Sequence, residues 1–361
     1  MKIFSCVCAQ IVFFESISCI RCGRTLAFLP DRGALSAVED DGAPEEMIWR
    51  PAGGGAEGER YRACRNHREH GVCNWAVPDA EPEEYCRSCR LNRTIPDLGD
   101  PGAKEAWHQL EIAKRRLVYT LLDLALPLDS KAEDPAGGVA FEFLKDDPAG
   151  AGKVFTGHSD GVVTINVAEA EAPFRERMRE QMGEAYRTLL GHFRHEIGHY
   201  YWARLIDDGP FLQRFRGLFG DERADYTLAR QRYYDAGPPS DWQPRFVSKY
   251  ASMHPWEDWA ETWAHYLHMV DTLETARSYG LALKARPIPD GPAQPALAVR
   301  RLDPHSFEDL VSAWLPVTIA LNSLNRSMGL PDPYPFVLGE PALEKLRFVH
   351  TVIEETRSVC C

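Results

Sequence analysis

Gly191-His192-Phe193-Arg194-His195-Glu196-Ile197-Gly198-His199-Tyr200-Tyr201-Trp202 contains the pattern His-Glu-x-x-His. In that pattern two histidines one helical turn apart hold a zinc ion, and the glutamate between them activates the metal's water. At 3.6 residues per turn His195 and His199 point the same way and reach one ion, while Glu196 lies about 100° round, at the edge of that face. Tyr186, Leu189 or Leu190, Phe193, Ile197, Tyr201 and Leu205 recur every three or four residues as an apolar stripe, with His192, His195 and His199 beside it. The stretch therefore reads as a helix with a buried side and a histidine side. The plainer alternative is a set of ordinary surface histidines.

A zinc that does chemistry needs a third protein ligand and an open fourth position. The metzincin arrangement requires a histidine six residues after the second and a glycine three after it; Leu205 and Trp202 stand there, which excludes it. A glutamate on a later helix remains, and Tyr250-Ala251-Ser252-Met253-His254-Pro255-Trp256-Glu257-Asp258-Trp259-Ala260-Glu261 offers one. Pro255 suits a first helical turn. Trp256, Trp259 or Ala260, Trp263, Leu267 and Val270 then form a core stripe, leaving Glu257, Glu261, Ala264 and His268 on another face. Glu257 and Glu261 are one turn apart, as a ligand and a carboxylate that orients a ligand would be. Spacing does not fix which is which; Glu257 is favoured as the ligand. Acids that complement the dipole of the helix start are the competing explanation.

The chain of 361 residues is long enough for more than one domain, and its net charge of -12 argues against bulk electrostatic binding to nucleic acid or an anionic membrane. No apolar run is long enough to span a bilayer. Lys2 followed by Ile3-Phe4-Ser5-Cys6-Val7-Cys8-Ala9-Gln10-Ile11-Val12-Phe13-Phe14 has the outline of a short signal peptide, but Gln10, Glu15 and two cysteines interrupt it. A cytoplasmic location is expected, where clustered cysteines hold metal more often than they form disulfides.

Cys6, Cys8, Cys19 and Cys22 read as the two knuckles of a zinc ribbon over residues 1–30, the first half being a tight Cys-x-Cys. A flexible Gly- and acid-rich connector is expected over 31–59, loosest at Gly53-Gly54-Gly55. Cys64, Cys73, Cys86 and Cys89 suggest a second structural zinc in a module over 60–100, with His67 and His70 as alternative ligands. Arg60, Arg62, Arg65, Arg68, Arg87, Arg90 and Arg93 interleave there with Tyr61, Trp75 and Tyr85, but nearby Asp79, Glu81, Glu83 and Glu84 offset them. A structural or protein-docking module is favoured over a nucleic-acid-binding one.

The main domain is expected over 101–285: a helix from Lys104 to about Leu126, then strands Val139 to Leu144, Lys153 to Thr156 and Gly161 to Val167, with Gly157 to Gly161 as a turn. The last strand is a candidate edge for pairing an extended peptide. Asp221 to Tyr234 reads as helical, and the helix carrying Glu257 runs to about Tyr279. Tyr250, seven residues before Glu257, is either a donor to a developing oxyanion or a core tyrosine. Pro287, Pro289, Pro292 and Pro295 stiffen a connector into a C-terminal helical extension over 286–361, where Ser306 with Asp309 and then Pro341 open helices. Cys360 and Cys361 receive no role.

Cys19-x-x-Cys22-Gly23, the run from Leu189 to Trp202, His254-Pro255-Trp256-Glu257-Asp258-Trp259-Ala260-Glu261-Thr262-Trp263-Ala264 and Tyr334-Pro335-Phe336 together resemble bacterial zinc-binding metallopeptidases with an N-terminal zinc ribbon. The resemblance runs from about Phe4 to Ile353. One departure is visible: the family opens with Cys-x-x-Cys-Gly-Gln, and Cys8-Ala9-Gln10 keeps only its end. More distantly, Tyr250 and Glu257-x-x-Ala260-Glu261 are similar to the third-ligand segment of the anthrax lethal factor peptidase domain, which implies Glu257 as ligand, Tyr250 as oxyanion donor and Glu261 behind a ligand. The implied fold is α+β: a zincin-like domain, mostly helical with a small sheet, preceded by zinc-ribbon modules. The implied activity is peptide-bond hydrolysis at a zinc held by His195, His199 and Glu257, with Glu196 as general base, beside up to two structural zincs. A zinc-stabilised scaffold that binds peptides without cleaving them, and an amidase acting on an unusual amide such as a side-chain conjugate, are the alternatives. A peptide or protein substrate is expected, with a protein partner for the ribbon region, no nucleic acid and no membrane.

Overall fold

The computed structural model describes residues 2–42, 47–54, 58–147, 152–182, 188–283, 297–298 and 305–360. The chain forms two compact units, one of Met1–Asp123 with Pro127–Arg175, the other of Leu124–Leu126 with Glu176–Cys361. The division differs from the expected one: residues 127–175 belong with the ribbon region, not with the zinc-motif helix.

In the first unit β1 (Phe4–Ser5) and β2 (Ile11–Val12) form a small hairpin. β3 (Thr25–Leu29), β4 (Ala34–Asp40), β5 (Ile48–Pro51), β6 (Tyr61–Ala63) and, after the short α1 (Arg65–His70), β7 (Ala76–Pro78) build one antiparallel sheet in chain order. The described residues of 31–59 are therefore not a flexible connector. Two of the five strands lie within them, because Leu35, Ala37, Val38 and Trp49 supply inward faces, and Val38 and Trp49 pack with Leu29, Tyr61 and Ala76. The charged and Gly-rich residues around them masked that alternation. Gly53 and Gly54 are left-handed, with φ of +91° and +97°; Gly55 lies outside the described residues.

A second, mixed sheet has the order β10-β11-β9-β8, formed by β8 (Asn92–Thr94), β9 (Ala140–Leu144), β10 (Gly157–Ser159) and β11 (Val162–Asn166). The long α2 (Ala103–Asp123) buries Trp107, Leu110, Leu117 and Leu121 in the same unit. Residues 153–156 are not a strand; the strand falls on 157–159, in the expected turn. Asp160 and Gly161, with φ of 47° and 73°, make the two-residue hairpin turn whose handedness matches strand twist. β11 pairs with β10 on one side and β9 on the other, so it has no free edge for a peptide.

α3 (Ala172–Met182) runs across the sequence boundary between the units. The second unit holds α4 (Leu189–Tyr201) with a π-helical turn at Trp202–Ile206, α5 (Leu212–Phe219), α6 (Tyr226–Ala236), α7 (Pro255–Ser278), the pair β12 (Ala282–Leu283) and β13 (Leu297–Ala298), α8 (Phe307–Ser327) and α9 (Glu340–Cys360). α7 is its centre, with Trp259, Trp263 and Leu267 fully buried, and it packs against α4, α5, α8 and α9. α6 begins five residues later than expected because Asp225, not Asp221, caps it, accepting from the Leu228 amide at 2.9 Å. Lys345 on α9 is bonded to Asp258 at 2.5 Å, and Tyr334 to His265 at 2.7 Å, which fastens the C-terminal helices to α7. The expected prolines 287, 289, 292 and 295 lie outside the described residues, as does Tyr186. Among the described residues no helix is long and apolar enough to cross a membrane.

Candidate metal centres

α4 opens at Thr188, whose hydroxyl accepts from the Gly191 amide at 3.0 Å, and α7 opens at His254, whose Nδ1 accepts from the Trp256 amide at 3.2 Å. The two helices meet at Gly198. A Cβ there would stand 3.1 Å from Ala260 Cα and 3.3 Å from Trp263, so any side chain larger than glycine's would have to push these neighbours back. Trp259 Nε1 locks it by donating to the Gly198 carbonyl at 2.8 Å. This crossing carries Glu257 to the histidine face of α4.

His195 Nε2 lies 3.2 Å from His199 Nε2 and 3.0 Å from Glu257 Oε2, and His199 Nε2 lies 3.6 Å from the same oxygen. Glu257 is buried, and its Oε2 accepts no well-formed hydrogen bond. On the other side of the ring, His195 Nδ1 is held at 2.7 Å by Glu261 Oε1, and Ser248 Oγ donates to Glu261 Oε2 at 2.5 Å. A proton on Nδ1 turns the Nε2 lone pair toward Glu257 and His199. Three electron-rich atoms then face one another, an arrangement that calls for a cation. The spacing fits one: zinc bonds of about 2.0–2.1 Å in a tetrahedron separate ligand atoms by about 3.3–3.4 Å.

The carboxylates and imidazoles also shift one another's titration. Burial alone would raise the Glu257 carboxyl, but His199 and His195 close beside it hold it well below the ordinary range. Burial would lower His195, yet its bonds to Glu257 and Glu261 raise it well above the usual value.

Glu196 is almost buried and makes no hydrogen bond or ion pair among the described residues, while the Tyr250 ring lies tilted 5.9 Å from the His195 ring. Burial and then the charge of Glu257 push the Tyr250 phenol well up, so it keeps its proton and remains a donor. Tyr250 opens a short 3₁₀ turn, Tyr250–Ser252, which Ser248 caps by accepting from the Ala251 amide at 3.1 Å. Two neighbours of the site escaped the sequence reading. Tyr226, at the start of α6, donates to Glu257 Oε1 at 2.8 Å, and Ser248 holds Glu261. Neither stands at helical spacing from the residue it touches, so periodicity carried no signal for them.

The first unit contains the two cysteine clusters, and their eight thiols form no disulfide. Cys6 lies 3.6 Å from Cys22, Cys8 3.6 Å from Cys19, and Cys73 3.7 Å from Cys86, close to the roughly 3.8 Å edge of a tetrahedron with zinc–sulfur bonds of about 2.3 Å. The tight Cys-x-Cys knuckle closes through Ala9, a non-glycine residue with φ of 63°, whose amide donates to the Cys6 carbonyl at 2.8 Å. Arg24 pulls the Cys22 thiol down to about 6 through its backbone amide and side chain, whereas burial pushes Cys6 up to about 12. In the second cluster the amides of Trp75, Cys86 and Cys89 donate to the sulfurs of Cys73, Cys64 and Cys86. His67 Nδ1 is bonded to the Cys73 carbonyl at 2.6 Å, and neither His67 nor His70 belongs to the cluster.

A family model described as "Putative zinc-binding metallo-peptidase" matches residues 103–352, and one for a zinc-ribbon domain matches residues 3–100, which takes in both cysteine clusters. The chain is 42% identical over 357 residues to an uncharacterized protein of Mycobacterium bovis and to uncharacterized proteins of two Mycobacterium tuberculosis strains, covering 98% of this chain and 96% of each relative. No solved structure matches it.

Proposed function

Because the chain belongs to this zinc-binding metallo-peptidase family and carries a zinc-ribbon domain ahead of the matched region, we propose that it is a zinc-dependent peptidase of the glutamate-zincin type. The observation that carries the reading is the convergence of His195 Nε2, His199 Nε2 and the orphaned Glu257 Oε2 within 3.0–3.6 Å. Zinc bound there supplies a Lewis acid that polarises a carbonyl and brings the pKa of its water to about 7. Glu196, one residue from a ligand and without a competing partner among the described residues, takes a proton from the attacking water and returns it to the leaving amine. Tyr250 keeps its proton and donates a hydrogen bond to the oxyanion. Glu261, backed by Ser248, fixes the tautomer and orientation of His195. The substrate is a peptide or protein, and the cysteine clusters hold structural zinc in the ribbon domain, a surface for a protein partner.

The test is cleavage profiling with linear and branched peptide libraries, run beside elemental analysis of zinc. Wild type is expected to carry three zincs, losing one in His195→Ala/His199→Ala. Glu196→Gln is expected to keep all three while turnover falls at least about 100-fold. Full activity in Glu196→Gln refutes the mechanism. An unchanged zinc count in the folded double variant refutes the metal site and favours the non-catalytic scaffold.

A further inference from the structure

The two oxygens of Glu257 have different surroundings: Oε2 faces the histidine pair, and Oε1 accepts a hydrogen bond from Tyr226 Oη at 2.8 Å. A carboxylate can bind zinc through one oxygen or both, and a second bound oxygen would add a fifth ligand beside the water and crowd the position that substrate needs. We propose that Tyr226 is the positioning residue that keeps Glu257 a one-oxygen ligand, and so keeps the centre open. The inference rests on the reading of His195, His199 and Glu257 as zinc ligands.

The surroundings of Tyr226 suit that task. Its ring lies 5.3 Å from the ring of His254 and 6.2 Å from that of Trp256, the residues that open α7 beside Glu257. His254 Nε2 also meets the Ala224 carbonyl at 3.0 Å, and Asp225 caps α6 directly before Tyr226. The start of α6 is thereby tied to the start of α7, and the hydroxyl has a fixed address on Oε1. Two turns further along the same face, Tyr233 meets the Tyr250 ring at 5.9 Å. None of the residues of α6 is fully buried, so the helix contributes little to a core; what it presents to the site is this pair of tyrosines. A tyrosine is the right residue for the position. It donates one hydrogen bond from a stiff arm and, unlike an arginine or lysine, brings no charge that would repel the metal.

The experiment uses the full chain, with the histidine site stripped by a chelator and refilled with Co2+ while the cysteine sites keep zinc. Difference spectra are taken against identically treated His195→Ala/His199→Ala protein. Four-coordinate cobalt absorbs several-fold more strongly in the visible than five-coordinate cobalt. Tyr226→Phe, which removes only the hydroxyl, is expected to lower the visible absorption of the histidine-site cobalt several-fold as Oε1 joins the metal. Far-UV circular dichroism and retained cysteine-site zinc report folding. Cobalt-edge X-ray absorption of the wild type needs no variant and is expected to show one carboxylate oxygen bound. An unchanged spectrum in folded Tyr226→Phe, or two carboxylate oxygens on the wild-type cobalt, overturns the proposal alone. A wild type that takes up no cobalt at the histidines overturns it together with the reading beneath it.

Discussion

Glu261→Gln is a narrow perturbation, because it keeps the size of the side chain and a carbonyl acceptor for His195 Nδ1 while removing the charge. The bond is short, 2.7 Å, and charge-assisted. Hydrogen bonds to charged groups contribute about 1.5–3 kcal/mol against about 0.5–1.5 for neutral ones, so the charge is worth about 1–1.5 kcal/mol, or roughly tenfold in zinc affinity. Glu261→Ala goes further. It strands the Ser248 hydroxyl, which donates to Oε2 at 2.5 Å, and leaves the His195 ring free to turn, for an expected loss nearer 100-fold. Glu257→Ala, which removes a ligand outright, is expected to exceed both. Competition for zinc against chelators of graded strength, on protein whose cysteine sites stay filled, ranks the three. Equal affinities in wild type and both Glu261 variants would refute the orienting role, and a larger loss in Glu261→Ala than in Glu257→Ala would exchange the roles of the two carboxylates.

Gly198→Val pushes new methyl groups into Ala260 and Trp263, where a Cβ alone already stands at 3.1–3.3 Å; overpacking of this kind costs about 1–3 kcal/mol, so denaturant unfolding and histidine-site zinc affinity are both expected to fall, and an unaltered unfolding midpoint refutes the tight crossing. Burial, the first cause in each case, pushes His265 down to about 4 and His268 to about 3, whereas in the unfolded chain each takes a proton near 6.5. The depressed values mean that their contribution is present in full above 6.5 and is lost as the pH falls toward 4 and 3, at about 1.4 kcal/mol per pH unit for each histidine. Replacing both with glutamine is expected to flatten the dependence of unfolding free energy on pH across that window, and an unchanged slope refutes the assignment.

The histidine and glutamate pairs were legible because helical periodicity fixes which side chains share a face, and Trp259, Trp263 and Leu267 marked the buried side of α7 without ambiguity. The close approach that joins the two faces was not legible as such: Gly198 reads as an ordinary residue of the motif until Ala260 is seen beneath it. Residues 31–59 failed for a different reason. Their strands are short, four and seven residues, and pair with each other and with neighbouring β3 and β6, so the charged and Gly-rich composition outweighed the alternation of Leu35 and Ala37. The hairpin at Asp160-Gly161 was displaced by a few residues because a two-residue turn needs far fewer loop positions than Gly157 to Gly161 provide. Tyr226 was invisible because its relation to Glu257 exists only between helices.

The candidate metal centres are of two electrostatic kinds, and on the proposed function the difference separates structure from chemistry. Four thiolates around a divalent ion carry a net charge of about -2, which makes the metal electron-rich and leaves no vertex for a reactant. Cys64, Cys73, Cys86 and Cys89 are buried to within 2% of complete exclusion, and buried Arg115, whose Nη1 donates to the Val72 carbonyl at 2.7 Å, is raised in pKa, against the opposing effect of burial, by Cys73, then Glu111, then Cys89 and Cys86. Such a centre can stabilise a domain and little else. Two neutral imidazoles and one carboxylate leave a divalent ion with a net charge of about +1, and the His195 and His199 side chains remain 12% and 18% exposed. Positive charge, a missing fourth ligand and access from solvent are what a Lewis acid requires. On the proposed function, the hydrolysis belongs at α4 and α7, and the ribbon domain's centres are structural.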